Sequence, residues 1–204
     1  MDLETVDRNA KINDLEDADL ETGKFKIVYL GSISAFNGLD VLVEAAKVLQ
    51  DRQIEDISIL IYGYGNQEDR LRKLADSYEL RNLKFKGKLD KKYALSLLSH
   101  SDLNLFTFKD THLLKYGVSP NKLFMYFASR KPVLSMIKPA YDLVEERECG
   151  ISVGNNPTEV ADAIIKMSQL DKDTYKQYCA NARKVAEEYD YKELVKELIR
   201  MIER

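Results

Sequence analysis

The sequence predicts an α/β domain, a doubly wound, Rossmann-like parallel sheet of about six strands. Three observations point there. Short, almost wholly apolar runs alternate with longer segments of helical period. The apolar runs are too continuous for a half-solvated sheet and suit strands covered on both faces. Glycine and serine recur just after these runs, where a strand turns into a helix. At 204 residues the chain is long enough for one good core.

The elements follow in order. Residues 1–24 hold eight acidic and three basic side chains, giving this leader a net charge of -5 and residues 25–204 about +2. With few large apolar residues and no sustained period, 1–24 reads as an acidic linker or arm with one short helix. Residues 25–31 (FKIVYLG) form a first strand, and 39–51 a helix with apolar Leu39, Leu42, Val43, Ala46 and Leu49. Residues 57–63 (ISILIYG) form a second strand and 67–80 an amphipathic helix. Residues 83–87 make a third strand, 91–100 a helix, 103–108 (LNLFTF) a strand. A helix over 120–130, a strand over 132–137, a helix over 139–147 and a short strand over 150–153 come next. From residue 157 the chain reads as helical, with breaks near Asp171 and Asp190.

Ligands in such sheets bind beyond the carboxyl ends of the strands. The loop after the first strand, residues 31–38 (GSISAFNG), is either an ordinary turn or a place where backbone N–H groups meet an anion. Gly63 and Gly65 resemble part of a dinucleotide fingerprint, but lack its third glycine. Lys84 and Lys86 share one face of the third strand, which reads as an edge strand guarded by lysines rather than as a phosphate or membrane patch. The strongest feature is the sharp helix start Gly117-Val118-Ser119-Pro120-Asn121-Lys122. Serine is a favoured N-cap and proline a favoured first helical residue. The first-turn N–H groups and Lys122 suit an anion. His112 lies in the preceding loop as a candidate acid or base, though a lone loop histidine is more often solvated. His100, ending a helix, reads as structural.

Several classes are excluded. No P-loop, nucleophile elbow or zinc-protease motif occurs. Two cysteines and two histidines make no transition-metal site expected. The near-neutral charge offers no field for nucleic acid. No apolar run spans a bilayer and 1–24 lacks the pattern of a signal peptide, so a cytoplasmic protein is expected.

Residues 119–134 (SPNKLFMYFASRKPVL) resemble the "SPNKLFEYMAAGKPV" stretch of bacterial group 1 glycosyltransferases, also called family 4. Five further pieces agree in order. Residues 25–46 resemble that family's first strand, glycine loop and following helix; 59–74 resemble "LLIVGDGPEKERLKKL"; 82–90 resemble "NVKFLGRV"; 101–108 resemble "ADVFVLPS"; 142–153 resemble "ELVEEAGCGILV". The resemblance covers about 25–203.

It implies one half of a GT-B fold, in which two Rossmann-like domains face across a cleft. This chain resembles the C-terminal half, which binds the nucleotide-sugar donor. Residues 25–204 are then the nucleotide-sugar-binding domain with C-terminal helices, and 1–24 falls where an interdomain linker would. The implied reaction is transfer of a sugar, with retention, from a nucleotide-sugar, most often a UDP-sugar, in capsule or surface polysaccharide assembly. No other cofactor and no metal are implied. The half alone is expected to be inactive, needing an N-terminal acceptor domain or partner subunit, with a lipid-linked sugar acceptor at the inner membrane face. The final helix, 191–204, resembles the segment that returns toward that domain.

Carried over by position, Gly31, Ser32 and Ile33 lie against the donor phosphates. The usual phosphate-contacting Arg and Lys fall at Ser32 and Asn37. Residues 62–66, with Gly63 and Gly65, lie near the nucleoside, and Gly87, Lys88 and Leu89 lie against the base. Gly117 to Lys122 cradle the diphosphate, with Lys122 stabilising the leaving group. The family's two glutamates, seven residues apart, fall at Gly117 and Met125. Gly117 occurs in some polysaccharide-assembling relatives, but a Met125 thioether makes a poor ribose acceptor. These losses leave an alternative: a degenerate or split non-catalytic module that binds nucleotide-sugar and needs a partner.

Overall fold

A computed structural model describes residues 1–109, 111–116 and 121–203, without the side chains of His112 and Leu113. Six strands form one all-parallel sheet: β1 (Phe25–Leu30), β2 (Ile57–Tyr62), β3 (Leu83–Gly87), β4 (Leu103–Phe106), β5 (Val133–Ser135) and β6 (Gly150–Ser152), in the order β3-β2-β1-β4-β5-β6. This is the Rossmann-like order, and its direction reverses between β1 and β4.

The helices are α1 (Leu3–Ile12), α2 (Asp40–Asp51), α3 (Glu68–Ser77), α4 (Ala94–His100), α5 (Asn121–Ala128), α6 (Leu143–Glu146), α7 (Pro157–Ser168), α8 (Lys172–Glu188) and α9 (Tyr191–Ile202). Strand residues alternate between two cores. Ile27, Tyr29, Ile59 and Ile61 pack under α2, α3 and α7, against Leu42, Leu71 and Ile164. Val28 and Leu60 pack under α1, α4, α5 and α8, against Leu3, Leu97, Phe127 and Ala182. The breaks near Asp171 and Asp190 are helix starts, because each carboxylate accepts from the first-turn N–H groups of α8 and α9.

Two expectations are corrected. The helix over 139–147 shrinks to four residues, α6, because Asp142 caps the N–H groups of Val144 and Glu145 and fixes the start there. The leader does have a helical period. Leu3, Val6 and Ala10 lie on one face of α1 and pack into the second core, followed by Leu15 and Leu20.

β3 is the edge strand, as Lys84 and Lys86 suggest. Those lysines are not simply solvated. Lys84 pairs with Asp19, and Lys86 pairs with both Asp17 and Asp19 of the leader. The Tyr62 hydroxyl also donates to Asp17, at 2.7 Å. Lys84 and then Lys86 hold the Asp19 carboxyl below its usual range. Burial pushes Asp17 up, but hydrogen bonds from Lys86 and Tyr62 outweigh it and hold it low as well. At the other end, α9 buries no residue and leaves Leu198, Ile199 and Ile202 exposed along one stripe.

Candidate functional site

The β1–β4 ladder ends at Val28 and Asn104. Beyond it the strands part, and the crevice of a doubly wound sheet opens there. Leu30 would then keep an N–H and a C=O with no strand beside them. The Tyr126 hydroxyl supplies both partners: it accepts from Leu30 N–H at 3.2 Å and donates to Leu30 C=O at 3.0 Å.

Lys122 lies one turn before Tyr126 on the same face of α5. It reaches through the gap to a residue of the opposite core. Its Nζ is 3.3 Å from the Tyr29 hydroxyl and 4.9 Å from the centre of that ring. Among the described residues no carboxylate pairs with it. Burial alone pushes this ammonium down to about 8. The Tyr29 hydroxyl donates to Ser32 C=O at 2.7 Å, tying Lys122 to the glycine loop. Gly31 leaves the room: a methyl group there would lie 2.5 Å from Lys122 Nζ. A half-buried cation at a helix start, without a counter-charge, is an arrangement suited to an anion.

The three predicted glycine-bearing loops converge. Leu30, Gly31, Ser32, Ser34, Gly63, Tyr64, Gly65, Asn66, Lys88 and Leu89 line one open cleft of about 540 Å³. Gly63 and Gly65 serve the loops themselves. A Cβ on Gly63 would sit 1.8 Å from Gly31 C=O, and one on Gly65 2.3 Å from Ile33 C=O. Their Gly-x-Gly spacing reports two backbones in contact and not a dinucleotide fingerprint. Gly87 differs: its φ of +79° favours glycine, and a Cβ there would meet nothing within 4 Å.

Two carried-over positions do not face the cleft. Ile33 is fully buried, its N–H donates to Tyr64 C=O at 2.9 Å, and its C=O accepts from Gln67 N–H at 3.0 Å. Asn37 is also buried, with its amide donating to Ser32 C=O, Ser32 Oγ and Ser34 Oγ, each at 2.9 Å. Both shape the loop from within, since the Ile33 backbone groups and the Asn37 amide nitrogen bond to the protein itself. Met125 is half-buried against the second core, and Asn121 is exposed at the start of α5. Gly117, Val118, Ser119 and Pro120 lie outside the described residues, as does the His112 side chain. His112 itself opens a short 3-10 turn, His112–Tyr116. Sequence reasoning missed Tyr29 and Tyr126, and placed Tyr64 only within a turn near the nucleoside. The four-residue spacing of Lys122 and Tyr126 was a usable signal for two neighbouring roles on one helix face.

Comparison with known proteins bears on the fold and the family. A glycosyltransferase of Methanocaldococcus jannaschii, uncharacterised by its name, is 28% identical over 184 residues, which cover 89% of this chain and 45% of that protein. The chain therefore spans less than half the length of this curated relative. Anabaena HepE, solved with UDP, superposes with a TM-score of 0.76 at 16% identity, over 100% of this chain and 55% of that one. The pneumococcal O-GlcNAc transferase GtfA, solved with UDP and GlcNAc, gives a TM-score of 0.69 at 17% identity, over 94% of this chain and 38% of that one. These structural likenesses establish the fold, a Rossmann-like half of the GT-B architecture. The family model described as "Glycosyl transferases group 1" matches residues 11–185, and the chain belongs to that family.

Proposed function

We propose that this chain is the C-terminal, donor-binding half of a retaining glycosyltransferase that takes a UDP-sugar in polysaccharide assembly. Residues 25–204 form the nucleotide-sugar domain, and 1–24 lead in from the missing half. The observation that carries this reading is Lys122. Its ammonium sits at the β1–β4 crevice with no carboxylate beside it among the described residues, and the cleft of the glycine loops adjoins it at Gly31. The donor's diphosphate lies against Gly31, Ser32 and the start of α5 with Lys122. As the sugar leaves, charge grows on that diphosphate, and a fixed cation with helix N–H groups stabilises it. Gly87, Lys88 and Leu89 take the base end.

Catalysis needs an acceptor-side domain, in the same polypeptide or in a partner subunit, working in the cytoplasm on a lipid-linked acceptor at the inner membrane face. The bare apolar stripe of α9 supports such a partner. No described helix is long and apolar enough to cross a membrane.

A second reading, a non-catalytic module that binds nucleotide-sugar for a partner, is favoured by one observation. Met125 packs a thioether against the second core, at the position where the family resemblance places a carboxylate.

Titration of the 204-residue chain with UDP, GDP and ADP, with and without sugars, tests the proposal by calorimetry. UDP binding that is lost in Lys122→Met is the expected result. No nucleotide binding at millimolar concentration overturns the donor-site reading, and robust sugar transfer by this chain alone overturns its dependence on a partner.

A further inference from the structure

Tyr64 is an aromatic side chain 61% exposed on the wall of a cleft whose backbone is tightly fixed. Its own C=O accepts from Ile33 N–H at 2.9 Å, and the neighbouring Gly63 N–H donates to Gly87 C=O at 2.7 Å. The ring thus stands on a braced turn between two glycines. Leaving an aromatic ring in water forgoes the burial that usually holds one in place. Lys88 Nζ lies over the ring, 5.2 Å from its centre. Leu30 and Leu89 add apolar surface to the same cleft.

The cleft has two chemically different ends. Lys122 and Gly31 mark an anion end at β1. Tyr64 and Leu89 mark a flat, largely apolar end beyond β2 and β3, with Lys88 over the ring. Neighbouring strands lie about 4.8 Å apart, so the two ends are separated by roughly 10 Å. A phosphorylated nucleoside is charged at one end and planar at the other, over about that length.

Resting on the donor-site reading, we infer that Tyr64 is a base-positioning residue, whose ring stacks against the nucleobase of the donor. Lys88 occupies one face of the ring, and the base takes the open one. Stacking on a lone ring does not read hydrogen-bond edges, so it orients any base that reaches it. Edge contacts are left to the backbone at Gly87 to Leu89.

Calorimetry with UMP and with inorganic pyrophosphate tests this on the wild-type chain, Tyr64→Ala and Tyr64→Phe. The expected result is UMP affinity reduced roughly tenfold or more in Tyr64→Ala, near wild-type in Tyr64→Phe, and pyrophosphate affinity equal in all three. The uracil H5 and H6 resonances should shift upfield on binding wild-type protein and lose that shift with Tyr64→Ala. Unchanged UMP affinity in Tyr64→Ala overturns the inference while leaving the donor site intact. Equal loss of UMP and pyrophosphate also overturns it, because the ring would then only hold the loop. Wild-type protein that binds neither ligand overturns the donor-site reading and the inference with it.

Discussion

The hydroxyl of Tyr126 stands in for a missing strand beside Leu30. It accepts the Leu30 N–H and donates to the Leu30 C=O, where β1 has already lost β4 as a neighbour. A crevice between two strands exposes backbone groups that must find partners, and here α5 provides them without closing the gap. Tyr126→Phe keeps the ring and removes both bonds. It should cost about 1–3 kcal/mol, the penalty of leaving buried polar groups unpaired. Urea unfolding would read this as a lower midpoint at unchanged slope; an unchanged midpoint would mean that water replaces the hydroxyl.

Gly63 and Gly87 are both glycines after strands, yet they should respond differently. A Cβ on Gly63 collides with Gly31 C=O, a backbone atom that cannot step aside cheaply. Gly63→Ala should destabilise by about 3 kcal/mol or more. Gly87→Ala meets no atom and pays only for its positive φ, roughly 1–2 kcal/mol. Paired denaturation curves separate the two, and equal losses would argue against loop contact as the reason for Gly63.

Much of the fold was legible because period and punctuation agreed. Ile57 to Tyr62 had to be a strand covered on both faces, and Asp171 and Asp190 marked real helix starts. The site was legible as loops but not as a network. Sequence placed Gly31, Gly63 and Lys88 on three separate loops, and only the strand order β3-β2-β1 brings those loops together. Tyr29 and Lys122 are 93 residues apart, one in the first core and the other on a helix that packs into the second. Nothing local to either predicts that they meet. The leader's short helix was expected but its packing was not, because acids dominate the composition and mask the sparse period of Leu3, Val6 and Ala10.

Those acids make a second test. Asp17 and Asp19 have depressed folded-state values, so they favour the folded protein above the ordinary carboxylate range. That contribution is lost as pH falls from about 4 through the lower folded values. Amide protection factors in residues 15–22 should fall on acidification before those of the sheet do. Lys86→Met should loosen the same segment at neutral pH, removing two charge-assisted bonds worth on the order of 1.5–3 kcal/mol each. Uniform exchange across leader and sheet at every pH would contradict this.

Lys122 supplies the sharpest pH signature. Burial lowers its folded-state value to about 8 from the ordinary 10.5. A lysine depressed in this way opposes folding while it is charged, and the unfolded chain holds more protons between those two values. Stability from this group therefore rises between about pH 8 and 10.5. Anion binding has the opposite sign. A diphosphate needs the ammonium and raises its proton affinity, so binding above pH 8 requires proton uptake. UDP affinity should be flat near pH 7–7.5 and should fall above pH 8, approaching tenfold per pH unit while the bound form stays protonated. Phosphate groups are already ionised there, which leaves the lysine as the titrating partner at the diphosphate end. Lys122→Met should bind UDP weakly with no slope over this range and should lack the alkaline gain in stability. Calorimetry in buffers of different ionisation enthalpy counts the protons directly. Uptake approaching one at pH 9 in wild-type protein, absent in Lys122→Met, is the expected outcome. Identical pH profiles for the two proteins would remove Lys122 from the diphosphate site.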